Sequence, residues 1–251
     1  MLDSTDMEKT TTTADTKVNP AITALFKAGA HFAYSKSRRH PSTKPYIFGA
    51  KNRVEIFDLE KSKDSLDKAK AFVTSVAQAG GMILFVGGKS EAKASVKRGA
   101  QALAMPYVDG RWIGGTFTNF PEIKKRVERM EMLLSQKEKG ELIKYTKKER
   151  LLIDREIDNL QYMFSGIASM KTAPKVMFVI DPKREAIAVE EARKQHVPVV
   201  ALASSDCDIT KVNFPIVGND SSRTSIELFV NEIVSAYQAG KKAFETKSPN
   251  A

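Results

Sequence analysis

The chain has 251 residues, 42% apolar and 28% charged, proportions that exclude a wholly disordered polypeptide and leave room for one or two packed domains. Forty Lys and Arg against thirty Asp and Glu give a net charge of +10, which points to a polyanionic partner, nucleic acid before an acidic membrane surface. Cys207 is the only cysteine, which excludes an internal disulfide and suits a reducing compartment; the longest apolar runs, residues 82–86 and 197–203, fall far short of the roughly 18 residues that span a bilayer.

The first twenty residues carry Asp3, Asp6, Glu8 and Asp15 against two lysines, with neither a signal peptide's apolar stretch nor a transit peptide's Arg-rich character, so 1–18 reads as a disordered lead. A short helix is predicted to start with Asn19 as cap and Pro20 in its first turn, to bury Ile22, Leu25 and Phe26, and to end at Gly29. Basic, irregular chain follows. From Lys27 to Arg53 there are seven cations (Lys27, Lys36, Arg38, Arg39, Lys44, Lys51, Arg53) and no acid, interleaved with Phe32, Tyr34, Tyr46 and Phe48, aromatics that suit base stacking beside phosphate contacts and equally a core edge.

Residues 46–48 and 54–57 read as strands of a hairpin, and Leu66, Ala69, Val73 and Val76 keep helical spacing until Gly80 and Gly81. Continuous apolar strands are predicted at 82–86, 176–180, 199–202 and 214–217, with a short one at 106–108. Helices at about 90–103, 185–195 and 222–239 lie between or after them. Apolar strands alternating with helices argue for a doubly wound, mostly parallel sheet covered on both faces. Residues 119–168 interrupt it with two helical segments: Phe120, Ile123, Val127, Met130 and Leu134 in one, Ile153, Ile157, Leu160, Phe164 and Ile167 in the other, both at heptad spacing. Asn119 with Glu122 and Thr146 with Glu149 have capping-box spacing, and Gly140 marks the turn, which predicts an antiparallel coiled-coil hairpin with arms about 25 to 30 Å long. The expected organisation is a sheet domain at 19–118 and 169–240, the hairpin at 119–168, and a flexible tail at 241–251.

Charge is uneven: residues 21–155 carry +13, residues 156–251 carry −1. Gly87-Gly88-Lys89-Ser90 resembles the end of a phosphate-binding loop, yet Ile83 stands where that pattern needs a glycine. Asp181, Asp206, Asp208, Asn219 and Asp220 fall at the carboxyl ends of the predicted strands, where α/β enzymes bind ligands, although helix starts and turns also account for them. His31, His40 and His196 have no metal-ligand spacing with one another or with Cys207. Trp112, the only tryptophan, is expected to anchor the hairpin's base, with base stacking as the alternative.

Several ordered blocks together resemble the bacterial ribosomal small-subunit protein two family: Gly29-Ala30-His31-Phe32, residues 44–52, Asp58-Leu59-Glu60-Lys61, Arg111-Trp112-Ile113-Gly114-Gly115 with Thr118-Asn119, Val179-Ile180-Asp181 and Gly218-Asn219-Asp220. The resemblance covers about residues 22–240. It implies a flavodoxin-like sheet with a protruding coiled coil, a structural and non-catalytic role in the cytoplasmic small ribosomal subunit, binding to small-subunit ribosomal RNA, and contact with neighbouring proteins including protein one. No cofactor, membrane partner or homo-oligomer is expected. Ala33-Tyr34 replace the family's usual Gly-His, Arg39-His40-Pro41 its Trp-Asn-Pro, and Ser204 an aspartate. A divalent metal held by that histidine and aspartate would lose ligands here, so none is expected. The expected RNA contacts are Tyr34, Lys36, Arg38, Arg39, His40, Lys44, Lys51, Arg53, Lys89, Lys93, Arg111, Lys124, Lys125, Lys147 and Lys148. An α/β enzyme acting on a phosphorylated or nucleotide substrate through 87–90 and Asp181, Asp206 and Asp220 is the alternative, and a coiled-coil adaptor for another protein a third.

Overall fold

A computed structural model describes residues 19–247; the expected lead at 1–18 and the last four residues lie outside the described residues. In chain order the regular elements are α1 (Pro20–Lys27), β1 (Phe32–Ser35), β2 (Ile47–Lys51), β3 (Val54–Phe57), α2 (Leu59–Gln78), β4 (Ile83–Val86), α3 (Lys93–Leu103) and β5 (Tyr107–Val108). They continue with α4 (Phe120–Glu138), α5 (Lys147–Phe164), β6 (Val176–Ile180), α6 (Ala186–Lys194), β7 (Val199–Ala203), β8 (Phe214–Val217) and α7 (Arg223–Lys247).

Strands β4 to β8 form one parallel sheet in the order β5-β4-β6-β7-β8. That order is the flavodoxin-like one, with its reversal between β4 and β6. Alternate side chains serve two cores. Ile83, Phe85, Phe178, Ile180, Val200 and Leu202 pack with residues of α2, α3 and α7, while Leu84, Val86, Met177, Val179, Val199 and Ala201 pack with α6 and the helical pair α4–α5. Burial on both faces is why the strands read as unbroken apolar runs.

The N-terminal segment differs from the sequence expectation. Asn19 caps α1 by accepting from the Ala21 amide, and Leu25 is buried. Phe26 instead stays 60% exposed and stacks on His31 at 4.5 Å between ring centroids. The segment expected to be irregular contains β1, which pairs antiparallel with β3; β2 flanks β3 on its other side. The β2–β3 turn is also tighter than expected. Only Asn52 and Arg53 form it, at φ 52° and 66°, the left-handed pair that matches hairpin twist.

α4 and α5 fold against each other around the turn at Gly140. Ile123, Val127, Met130 and Leu133 of α4 are buried with Ile157, Leu160 and Phe164 of α5, and Leu134 is half-buried. The ion pairs Arg129–Glu156 (3.1 Å) and Lys137–Asp154 (2.7 Å) join the two helices. Thr146 and Glu149 form the full capping box, whereas the Asn119 side chain makes no cap bond.

α7 runs past the expected end at 239 and takes in residues 241–247 of the expected tail. Gly240, just past that expected end, is a point of close helix contact: a Cβ there would lie 2.5 Å from the Thr74 carbonyl oxygen and 2.7 Å from the Ala77 Cβ, both on α2. Backbone cannot retreat as a side chain can. Gly240→Ala is therefore expected to cost on the order of 1–3 kcal/mol in urea unfolding. Gly49→Ala, where nothing lies within 4 Å, is the control. Equal midpoints for the two variants would contradict this packing.

Candidate nucleic-acid interface

The carboxyl ends of the parallel strands form a crest, and residues 29–43 dock on its β7–β8 side. Ser205, just after β7, accepts at its carbonyl from the His40 amide (2.8 Å) and the Thr43 hydroxyl (2.9 Å), and its own hydroxyl accepts from the Tyr34 amide (3.0 Å). Asn219, after β8, donates from its amide to the Ala30 carbonyl (3.0 Å) and from its side chain to that of Gly29 (2.9 Å). Two loops of the sheet thus hold the basic segment in place.

The expected RNA contacts sort into two groups. In the first, charge is already matched within the chain. Arg39 pairs at 2.7 Å with Glu55, a buried residue of β3. Arg38 pairs with Asp206 at 3.4 Å and lies 4.0 Å over the Tyr34 ring, whose hydroxyl is 2.7 Å from that of Ser221. His40 Nδ1 lies 2.8 Å from the Ser42 hydroxyl and caps the following 3-10 turn. Lys124 and Lys125 pair with Glu128 and Glu122. Lys89 is 12% exposed, with its ammonium 3.2 Å from Asp220 and 3.5 Å from Asp181.

In the second group no carboxylate lies within 4.0 Å among the described residues: Lys36, Lys44, Lys51 and Arg53 on the docked segment and its hairpin, Lys93 and Arg111 beside the sheet, and Lys147 and Lys148 on α5. Apart from half-buried Lys93, all are exposed. Phe48, on β2 before Lys51, is 81% exposed.

The crest carboxylates have internal partners. Asp206 pairs with Arg38 and Lys183, Asp208 caps a 3-10 turn at Thr210, and Asn219 holds the N-terminal segment and the Ser221 amide. Asp181, Cys207 and Asp220 bring donor atoms within 4.8 Å of one another. Burial, with Asp181 beside it, raises the Asp220 carboxyl from 3.8 to about 6, Lys89 offsetting part of the shift. Burial and the neighbouring aspartates push the Cys207 thiol well up, so it stays protonated and points at Asp181 Oδ1 from 3.7 Å. Burial pulls the Lys89 ammonium down, yet Asp220 and Asp181 outweigh that and raise it. Two carboxylates, a protonated thiol and a fixed ammonium do not fit a divalent cation, and Tyr34 and Ser204 add no strong ligand. In the loop after β4, the Gly88 amide that a phosphate loop would offer is taken by Glu185 Oε1 at 3.2 Å.

Sequence reasoning missed Glu191. This buried α6 residue accepts from the Gly115 amide (2.7 Å), the Trp112 indole (3.4 Å), the Phe117 amide (3.0 Å), and the Thr118 amide and hydroxyl (both 3.4 Å). One carboxylate therefore sets the path of the loop between β5 and α4. Trp112, buried and edge-on to Phe117 at 5.2 Å, packs at the base of the helical pair as expected. The available signal was Glu191 next to Ala192 on a helix face where Ala188 and Val189 are also buried.

The family described as Ribosomal protein S2 matches residues 25–240. The chain belongs to this family. It is 41% identical over 217 residues to the small ribosomal subunit protein uS2 of Sulfurimonas denitrificans, covering 86% of this chain and 84% of the relative. To the uS2 of Geotalea uraniireducens it is 40% identical over 229 residues, covering 91% and 90%. The S2-family chain is thus a structural ribosomal protein, not an enzyme, with its place in the cytoplasmic ribosome. No helix among the described residues is long and apolar enough to cross a membrane.

Glu191→Ala leaves five donors without their acceptor and is expected to cost on the order of 2–4 kcal/mol in urea unfolding, with Glu191→Gln costing less. A midpoint unchanged by either substitution would contradict the network. For Asp220 the fold favours the protonated acid, so its stabilising contribution is fully present below about 3.8 and is lost as pH rises through about 6. Asp220→Asn should therefore gain stability relative to the parent as pH rises from 4 to about 6.5. A pH-independent difference in denaturation midpoints would contradict the assignment.

Proposed function

We propose that this chain binds small-subunit ribosomal RNA through the docked N-terminal segment, with Lys36, Lys44, Lys51 and Arg53 on phosphates and Phe48 available for stacking. The supporting observation is that these four exposed cations have no acidic partner among the described residues, while the cations beside them do. Phosphate neutralisation releases counterions and is favourable without base-specific contacts, which suits A-form RNA, whose deep groove side chains cannot read. Arg38, Arg39, Tyr34 and His40 then serve the surface by holding its shape. Lys147 and Lys148 offer a second, smaller contact on the helical pair, and Lys93 and Arg111 a third beside the sheet. Lys89, Lys124 and Lys125 are engaged with acids and contribute less. Neighbouring small-subunit proteins, protein one among them, are the protein partners that the family resemblance implies.

Replacing Lys36, Lys44, Lys51 and Arg53 together by Gln is expected to weaken binding to small-subunit RNA at least tenfold near 0.1 M salt. The slope of log affinity against log salt should flatten by about 2 to 4. Lys194→Gln, whose charge pairs with Glu190 on α6, is the control. Equal affinity and equal salt slope for the fourfold variant and the parent would overturn the reading.

A further inference from the structure

Residues 29–43 are hydrogen-bonded to the loops after β7 and β8. Where the strand order reverses between β4 and β6, a cleft of about 320 Å³ stays open. Its walls come from the loops after β4, β5 and β6 and from α5, and reversal points of this kind are where open α/β sheets hold ligands. Two features of the cleft are specific. Lys93, Arg111 and Arg184 converge on it, and none has a carboxylate within 4.0 Å among the described residues. Tyr162 is 61% exposed, with the Lys93 ammonium 5.9 Å from its ring centroid. Arg111, Trp112 and Tyr162 also line an adjoining hollow of about 430 Å³, so the aromatic ring stands between two spaces.

The floor is built for close approach. A Cβ at Gly88 would collide with the Gly110 carbonyl, and Gly110 packs beside Tyr162, where a Cβ would lie 3.4 Å from its ring. Glu185 is the acid in the lining, and it is buried and engaged with the Gly88 amide. A phosphate is therefore expected on the two guanidinium groups and the ammonium, not on the glycine loop. An open aromatic face beside three unmatched cations is complementary to a base and its phosphate.

We propose that this cleft binds one phosphorylated nucleoside, its base against Tyr162 and its phosphate held by Arg111, Arg184 and Lys93. The binding is non-covalent, and the nucleotide comes either free from solution or from an unpaired position in an RNA strand. The site is separate from the docked basic segment and does not depend on that segment's role.

Trp112, the only tryptophan in the chain, lines the cleft and serves as its reporter. The full chain is titrated with adenosine monophosphate, adenosine and a short unstructured oligoadenylate, following tryptophan fluorescence and, independently, calorimetric heat. A saturable response to the monophosphate or the oligomer is expected. Response to both identifies a free nucleotide as sufficient, and response to the oligomer alone identifies an RNA strand as the source. Adenosine should bind at least tenfold more weakly than the monophosphate, or be silent where only the oligomer binds. Arg184→Gln and Tyr162→Ala, both at exposed positions, should each weaken binding at least tenfold, whereas Lys194→Gln, whose charge pairs with Glu190 on α6, should leave it unchanged. Absence of saturation with both nucleotide probes, adenosine binding as tightly as its monophosphate, or full affinity in the Arg184 and Tyr162 variants would overturn the proposal.

Discussion

Buried carboxylates organise the crest of this protein. Glu55, Glu185, Glu191 and Asp220 are all nearly or fully out of solvent, and each is met by a cation or by backbone donors of its own chain. An unmatched charge in such a place would be strongly destabilising, so each acid dictates where a particular loop must lie. Glu191 fixes the loop into α4, Glu185 the loop after β4, and Glu55 the turn that carries Arg39. Of the exposed cations without acids, Lys36, Lys44, Lys51, Arg53 and Arg111 lie on or beside the segments these contacts hold.

The result is a division of labour within one basic surface. A long acid-free stretch of sequence looks uniformly available to a polyanion, yet its cations are not equivalent in space. Arg38 and Arg39 find acids 168 and 16 residues away in the chain; outside that stretch, Lys89 is likewise drawn between two aspartates that follow other strands. The pairs that shape the surface spend their charge internally, and the charge left over sits at the hairpin and 3-10 turns, where long side chains reach outward.

The fold was legible where local rules act alone. Unbroken apolar strands spaced by helices implied a parallel sheet; Asn19 and the Thr146–Glu149 box mark helix starts through their own local hydrogen bonds. Illegible features all depend on distant partners. β1 shows no clean alternation because it is largely half-buried, and only its pairing with β3 makes it a strand. α7 continues past 239 with Gly240 packed on α2, a partner that no local rule sees. Glu191 reads as one more surface acid, since its donors lie 73 to 79 residues earlier. Family membership was carried by ordered blocks over most of the chain rather than by any chemical motif.

A density map of an intact small subunit containing this chain tests the central idea most directly. RNA phosphate oxygens are expected within hydrogen-bond reach, about 3 Å, of Lys36, Lys44, Lys51 and Arg53, with Arg39 still paired to Glu55 behind them. A map in which those four side chains face solvent or another protein, with the RNA elsewhere, would contradict it.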